Sequence, residues 1–411
     1  SSKRWSAARM RSTMTNGLDV ARVRGLYLTV GTAPACLDGP LSTLQPESVV
    51  RAIVATLRSS PTQPGGSSLR SQRTASTLRA TRAAFADLVG GGTDSVVIGA
   101  TLGALHSQFS EFVSRDWQLG DQVVLSRLDS DAVATPWLRA ARSSGVLVRW
   151  AEVDLETGEL PTWQYEHLIG PHTRLVTVAL GNPATGTIPD VRAIADLAHE
   201  VGALVLVASG SAAPHIPLDM AALGADLISV AAPSFGGPTL AALIARPGLL
   251  LEIDGGTHPP APHRFEFGPL PVELLGGATA AIDHLAGMDE HAAGSRRDRL
   301  ATSVAAAGNH TTALWEHFVD GVAELPHVTV FGGLTDRLPM TAFTVARRRP
   351  AQVGEFLARR GLSVWTGPSG LTQLMTAFGA DELGGATFAG FMPHTTITEV
   401  DQLLAGLAAL G

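Results

Sequence analysis

Residues 203–238 read ALVLVASGSAAPHIPLDMAALGADLISVAAPSFGGP, and this stretch decides the fold. Its two short apolar runs, at 203–207 and 226–230, are rich in Val, Leu and Ile and predict buried strands. Ligands of such folds bind at the carboxyl ends of the strands, so the residues that follow each run are candidate site residues. The segments after the runs predict, in chain order, a loop, a short helix and a glycine-rich turn, at 209–214, 218–223 and 233–238.

Strands and helices alternate along the chain on both sides of this stretch, from residue 24 to about residue 245. The alternation is typical of βαβ units, so we predict an α/β fold with a doubly wound, mostly parallel sheet in a large domain at 22–270. Linker helices and a smaller α+β C-terminal domain are predicted at 271–411, and a flexible tail at 1–21. The predicted strands include 26–30, 95–99, 122–126, 146–150, 174–180, 328–331, 341–345 and 386–391. The predicted helices include 46–58, 69–89, 189–201, 272–286, 294–319, 353–360 and 396–410.

Several sequence words occur in an order that resembles the class V aminotransferases and their cysteine desulfurase relatives. They are Gly-Asp-x-Val-Val at 120–124, Pro136-Trp137, Gly181-Asn182, and the central stretch with its closing Gly-Gly-Pro. The resemblance covers about residues 22–410. It implies the fold of the fold type I transferases that use pyridoxal phosphate (PLP), with a site at a two-fold interface between subunits.

The residues that carry the chemistry of that family are replaced in this chain. The resemblance implies a Schiff-base lysine, an aspartate on the pyridine nitrogen, a histidine stacked on the ring, a threonine reaching the neighbouring subunit's phosphate and an arginine for the substrate carboxylate. At the matching positions the chain has, in the same order, Ser234, Ala208, Ser130, Pro269 and Phe388. Lys3 is the one lysine of the chain, and a Schiff base with PLP needs a lysine amine.

From these losses we predict that no cofactor is used, with non-covalent binding of PLP or its amine form as the remaining alternative. The old cofactor pocket is predicted to be degenerate and lined by Thr101, Ser130, Asn182, Ala208, Ser211 and Ser234. Thr101 follows a glycine turn and either helps to bind a phosphate or only caps a helix. Asn182 either contacts the cofactor or is a turn residue.

The catalytic groups are unknown from sequence, and the candidates are Asp129, Asp131, Ser209, Ser234, His215 and Cys36. Each has a simpler interpretation, since carboxylates before a helix often cap it, a buried histidine is often structural, and a free cysteine is often packed. No metal site is predicted. The leading hypothesis is a protein that has lost PLP chemistry and reuses the pocket for a PLP-independent reaction in biosynthesis. The alternatives are a non-catalytic structural or regulatory subunit and an enzyme that holds PLP without a covalent bond.

The overall composition excludes several other function classes. The chain has 411 residues, a formal net charge of −7 and a single cysteine. This charge gives no reason to expect a nucleic acid or an anionic membrane as partner, and one cysteine cannot form an intramolecular disulfide. We expect a cytoplasmic homodimer, or a heterodimer with a catalytic relative, that binds a small molecule if it binds a ligand.

Overall fold

The computed structural model describes residues 17–31, 34–41, 43–254, 262–334, 336–367 and 370–411. Lys3 and most of the predicted tail lie outside the described residues. The strands are β1 Ala35–Cys36, β2 Val96–Gly99, β3 Gln122–Ser126, β4 Leu147–Ala151, β5 Thr173–Ala179, β6 Leu204–Ala208, β7 Leu227–Ala231, β8 Ala241–Ala245, β9 Val328–Val330, β10 Met340–Val345, β11 Leu362–Ser363, β12 Trp365–Gly367 and β13 Ala386–Gly390. The helices are α1 Val20–Arg24, α2 Glu47–Arg58, α3 Leu69–Val89, α4 Leu102–Val113, α5 Asp131–Ser144, α6 Tyr165–Leu168, α7 Val191–Glu200, α8 Met220–Leu223, α9 Leu249–Asp254, α10 Val272–Ala286, α11 Arg296–Val322, α12 Pro350–Ala358, α13 Thr372–Ala377 and α14 Ile397–Ala408.

A seven-stranded sheet with the order β2-β8-β7-β6-β5-β3-β4 is the centre of the fold. All its strands run parallel except β8, which is antiparallel to both of its neighbours. Successive residues of β6 enter different cores, because Val205 and Val207 pack on one face of the sheet and Leu206 on the other. Helices therefore cover both faces, and the predicted doubly wound, mostly parallel sheet is confirmed.

The C-terminal part contains a four-stranded antiparallel sheet with the order β12-β13-β10-β9. It packs against α11, α12 and α14 through a separate apolar cluster that includes Phe343, Phe391 and Leu403. Helix α14 begins at a capping box in which Thr396 and Glu399 bond to each other's backbone N–H groups. The predicted domain boundary at 270/271 stays a prediction.

The predicted strand at 26–30 is wrong. The short helix α1, capped by Asp19, ends just before this segment, and the chain continues through turns and bends to residue 31. Tyr27 is held by its hydroxyl, which lies 2.9 Å from Nε2 of His284, while Leu28 is 69% exposed and has no neighbouring strand. Helix α1 also begins inside the predicted tail. None of the helices in the described part of the chain is both long and apolar enough to cross a membrane.

Candidate functional site

The carboxyl ends of the parallel strands meet at one edge of the central sheet. Ala241 pairs with both Ala231 at the end of β7 and Gly99 at the end of β2, so these two strands end at the same level. Ala208 at the end of β6 pairs with Ala179 at the end of β5. Ligands of such sheets bind in the crevice outside these ends, and most of the predicted pocket residues lie there.

The N-terminus of α4 opens onto this edge. Thr101 is exposed, and its hydroxyl accepts a hydrogen bond from the backbone N–H of Ala104 over 3.2 Å. The next helix lies close by, because a Cβ built on Gly103 would be 3.8 Å from Cα of Ala132 in α5. The first N–H groups of a helix have no partner within the helix, so the start of α4 can bind an anion beside α5.

The N-terminus of α5 is bound by a distant part of the chain. Ser130 occupies the N-cap position but makes no capping hydrogen bond with its side chain. The N–H of Asp131 donates to the carbonyl oxygen of Gly370 over 2.8 Å. The carboxylate of Asp131 accepts from the N–H and the hydroxyl of Thr372, at 3.2 and 2.7 Å. The half-buried hydroxyl of Ser130 is therefore not used by the helix cap.

Asp129 is fully buried below the loop that precedes Ser130. Its Oδ2 accepts from the N–H of Ser126 over 3.0 Å and from the hydroxyl of Thr177, while its Oδ1 has no hydrogen-bond partner. Burial raises the pKa of Asp129 to about 6, against the lowering effect of these two hydrogen bonds. The hydroxyl of Tyr165 is also buried without a partner, and burial followed by the charge of Asp129 raises its pKa well above the usual value.

Asn182 uses its side chain within the loops at the sheet edge. Its Nδ2 donates to the carbonyl oxygen of Leu128 over 2.8 Å. Its Oδ1 accepts from the N–H groups of Ala184 and Thr185, at 2.8 and 3.3 Å. The side chain thus closes its own turn and joins the loop after β5 to the loop after β3.

Small side chains occupy the ends of β6 and β7. The hydroxyl of Ser209 donates to the carbonyl oxygen of Ser229 over 3.2 Å. The hydroxyl of Ser234 turns back into its own turn and donates to the carbonyl oxygen of Ala231 over 2.7 Å. Ala208 and Ser211 are half-buried, and neither carries a charged group.

Two of the candidate catalytic residues have hydrogen-bond partners outside the strand ends. His215 packs against α11, with its Nδ1 3.3 Å from the hydroxyl of Thr311, and burial lowers its pKa to about 3. The thiol of Cys36 donates to Oδ1 of Asp38 over 3.1 Å, and burial together with Asp38 raises its pKa above the usual value. Cys36 lines a cleft of about 480 Å³ with Arg24, His394 and Glu399. Among the described residues, the side chains of His215 and Cys36 bond to Thr311 and Asp38 rather than to the serines at the strand ends.

The other positions that carry the resemblance have structural environments. Phe388 lies on β13 and is buried in the apolar core. Glu266 is buried, and its carboxylate accepts from the guanidinium of Arg82 over 2.7 Å and from the N–H of Ile98 over 3.0 Å. Pro269 lines a cleft of about 420 Å³ near this ion pair.

Sequence reasoning missed a buried polar group below the same edge. Nε2 of His106 on α4 lies 3.0 Å from the hydroxyl of Ser229, and its Nδ1 accepts from the indole N–H of Trp137 over 3.2 Å. Burial lowers the pKa of His106 to about 4, so the ring is neutral. The helical pattern of α4 could have shown that position 106 faces the sheet, but its partners come from two other elements. Within the described residues, no group of three or more His, Cys, Asp or Glu side chains is placed to hold a metal ion.

Comparisons with known proteins agree with this architecture. A family model described as aminotransferase class V matches residues 35–403. The chain is 38% identical to the uncharacterized protein MT3887 of Mycobacterium tuberculosis, over 96% of this chain and 99% of that protein. It is 31% identical to a probable cysteine desulfurase of Streptomyces coelicolor, over 70% of this chain and 68% of the relative.

Solved cysteine desulfurases from Escherichia coli and Thermococcus onnurineus share the fold. The first has a TM-score of 0.83 at 22% identity, with 96% of this chain and 99% of that chain covered. The second has a TM-score of 0.84 at 20% identity, with 97% and 99% covered.

Proposed function

Because the chain belongs to the class V aminotransferase family, we propose that it binds PLP, or its amine form, at the carboxyl edge of the central sheet without a covalent bond. The observation that carries the proposal is the open N-terminus of α4 beside strand ends that carry small, uncharged side chains. It offers partners for a phosphate group, while Ser234 offers no amine for the aldehyde.

Our prediction that the chain uses no cofactor is wrong. The match to the family over residues 35–403 and the cysteine desulfurase relatives point to PLP as the cofactor. The physical reason for the error is that the prediction treated the loss of a covalent bond as the loss of binding. A phosphate group binds through backbone N–H groups and a helix dipole, and neither depends on the side chains that were replaced.

The residues at the sheet edge fit a cofactor that is held by its phosphate. The first N–H groups of α4 would hold the phosphate, beside the exposed hydroxyl of Thr101. The half-buried hydroxyl of Ser130, free of any capping bond, would face the ring where the family has a stacking histidine. Small groups at Ala208 and Ser211 leave room for the ring.

The same residues argue against the conventional chemistry of the family. When bound, PLP supplies an electron sink for carbanions. Ala208 places a methyl group where the family has the carboxylate that holds a proton on the pyridine nitrogen, so this chain does not strengthen that sink. Ser234 keeps its hydroxyl on the carbonyl oxygen of Ala231 and cannot act as the lysine does. We therefore propose that the chain is neither a conventional aminotransferase nor a conventional cysteine desulfurase.

A second copy of the chain is the partner that we propose. Val50, Val54 and Leu57 are exposed at spacings of four and three residues and form an apolar stripe on α2. Burial of such a stripe against another subunit is favourable, and the two-fold interface implied by the family resemblance would provide it. A heterodimer with a catalytic relative is the alternative, and the mass of the native assembly distinguishes the two.

Native mass spectrometry tests both the cofactor and the assembly. The protein is incubated with PLP or its amine form and dialysed against cofactor-free buffer. The mass of the assembly is then measured under native conditions. We expect a dimer that carries cofactor. After borohydride reduction and denaturation, peptides that cover 96–269 should carry no adduct, because this part of the chain has no lysine to form a Schiff base. The variant Ser234→Lys is the matched control and should gain a covalent adduct. Failure to retain any cofactor, or an adduct at the site in the wild-type chain, would falsify the proposal.

A further inference from the structure

A short segment of the C-terminal part, Gly370–Gln373, is tied to the N-terminus of α5. Three hydrogen bonds join it to Asp131: one to the carbonyl oxygen of Gly370 and two from Thr372, at 2.8, 3.2 and 2.7 Å. Asp131 thus binds the segment with both its backbone and its carboxylate. The two hydrogen bonds that the carboxylate accepts from Thr372 are of the charge-assisted kind, which is stronger than a hydrogen bond between neutral groups.

A second contact holds the same segment from the end of β3. The guanidinium of Arg127 donates to Oε1 of Gln373. Arg127 is itself fixed, since its guanidinium lies 4.4 Å from the ring centre of Trp150 and 3.1 Å from the carboxylate of Glu152. The two ties lie on either side of the loop that contains Ser130, so the segment lies along that loop.

The tied segment is also anchored on its other side. Thr372 is the first residue of α13, and the next turn of this helix buries Leu374 and Met375 in the main apolar core. Movement of Gly370–Gln373 away from α5 must therefore break the Asp131 and Arg127 contacts or disturb this packing. The N-termini of α4 and α5 approach each other at Gly103 and Ala132, which places the segment beside the proposed phosphate site.

We propose that Asp131 is a positioning residue that holds Gly370–Gln373 at the edge of the cofactor site and thereby slows release of the cofactor. The inference rests on the proposed function. A cofactor bound without a covalent link leaves as soon as its non-covalent contacts open, so a protein without the lysine needs another means of retention. The Asp131–Thr372 bridge, between residues 241 positions apart, provides it.

The variants Asp131→Ala and Thr372→Val test the bridge from its two sides. Asp131→Ala removes the acceptor of both Thr372 hydrogen bonds, whereas Thr372→Val removes the hydroxyl and keeps the shape of the side chain. Thr372→Ser keeps the hydroxyl and should behave as wild type. Asp196→Asn is the matched control, because Asp196 is an exposed carboxylate on α7 that pairs with Arg192 of its own helix.

Two measurements are made on the full chain. Hydrogen exchange of the peptide that covers 370–377, in protein without cofactor, reports whether the segment is held. The rate of PLP release after dilution, followed by absorbance, reports retention. For Asp131→Ala we expect faster exchange in this peptide and release that is roughly tenfold faster, as the loss of charge-assisted hydrogen bonds implies. Thr372→Val should give a smaller change in the same direction.

The outcomes separate this inference from the proposal on which it rests. If wild-type protein retains no PLP or amine form, both fail together. If it retains cofactor but exchange at 370–377 is the same in Asp131→Ala, the bridge does not hold the segment and the inference alone is overturned. If exchange rises while the release rate stays at the wild-type value, the segment is held but does not retain the cofactor, which also overturns the inference.

Discussion

Replacement of Asp129 by asparagine removes a titratable group from the core while keeping its shape. Asp129 is fully buried, and its Oδ2 accepts hydrogen bonds from the N–H of Ser126 and the hydroxyl of Thr177. An asparagine oxygen can accept both bonds. We therefore expect Asp129→Asn to fold, and to differ from the wild type chiefly in how its free energy of unfolding depends on pH.

The size of this effect follows from the pKa of Asp129. Burial raises the pKa from the usual 3.8 to about 6 in the folded protein. Between these values the folded chain keeps a proton that the unfolded chain has released, so the free energy of unfolding falls as the pH rises. With about 1.4 kcal/mol for each pKa unit, the full loss is about 3 kcal/mol, of which about 2 kcal/mol falls between pH about 4 and pH about 6. The remainder falls in about one pH unit on either side of this range.

Urea unfolding followed by tryptophan fluorescence, at a series of pH values from about 4 to about 7.5, measures the effect. The free energy of unfolding of Asp129→Asn minus that of the wild type should rise by about 2.5 kcal/mol across this range, because all other titrations cancel in the difference. Parallel curves for Asp129→Asn and the wild type would refute the assignment of a raised pKa to Asp129.

Two further predictions concern the packing around the site. Glu266→Gln should lower the free energy of unfolding by about 3–5 kcal/mol in urea titrations, because it leaves the guanidinium of Arg82 buried without its carboxylate. The double variant Arg82→Met, Glu266→Leu should lose less, and equal losses would contradict the role of the unpaired charge. Gly308→Ala should lower the melting temperature, because its Cβ would lie 2.1 Å from the carbonyl oxygen of His215. Gly210→Ala, which meets no atom within 4 Å, is the control that should melt as the wild type does.

Much of the fold could be predicted from sequence because local signals agreed with the tertiary structure. The bounds of α3 at Leu69–Val89 and β3 at Gln122–Ser126 match the prediction, and β3 is a short apolar run that is buried throughout. The prediction failed at 26–30, where a short apolar segment has no neighbouring strand and Tyr27 is instead fixed by His284. The conformation of such a short segment depends on contacts with residues that are far apart in sequence, and a local sequence pattern does not predict those contacts.

The candidate site could be predicted only in part. Sequence placed Thr101, Ser130 and Ser234 at strand ends, because parallel strands end at one edge. It could not show that the hydroxyl of Ser234 donates to its own turn, since that depends on a side-chain torsion. Nor could it show that Asp131 binds Thr372, because hydrogen bonds between distant loops have no periodicity. The prediction that no cofactor is used failed for a different reason. It was based on side chains, whereas backbone N–H groups at the start of a helix also bind phosphate.

The backbone of the turn that carries Ser234 is fixed by contacts of its neighbouring residues. Gly236 has a φ of 81°, and a Cβ there would lie 2.8 Å from the carbonyl oxygen of Leu44 and from Cδ of Pro46. The turn is therefore fixed by a glycine in the left-handed region and by close packing against the segment before α2. Neither contact involves the side chain of residue 234. The backbone of the turn is thus specified by residues other than 234, so Ser234→Lys is expected to place an amine on a turn that keeps its backbone conformation.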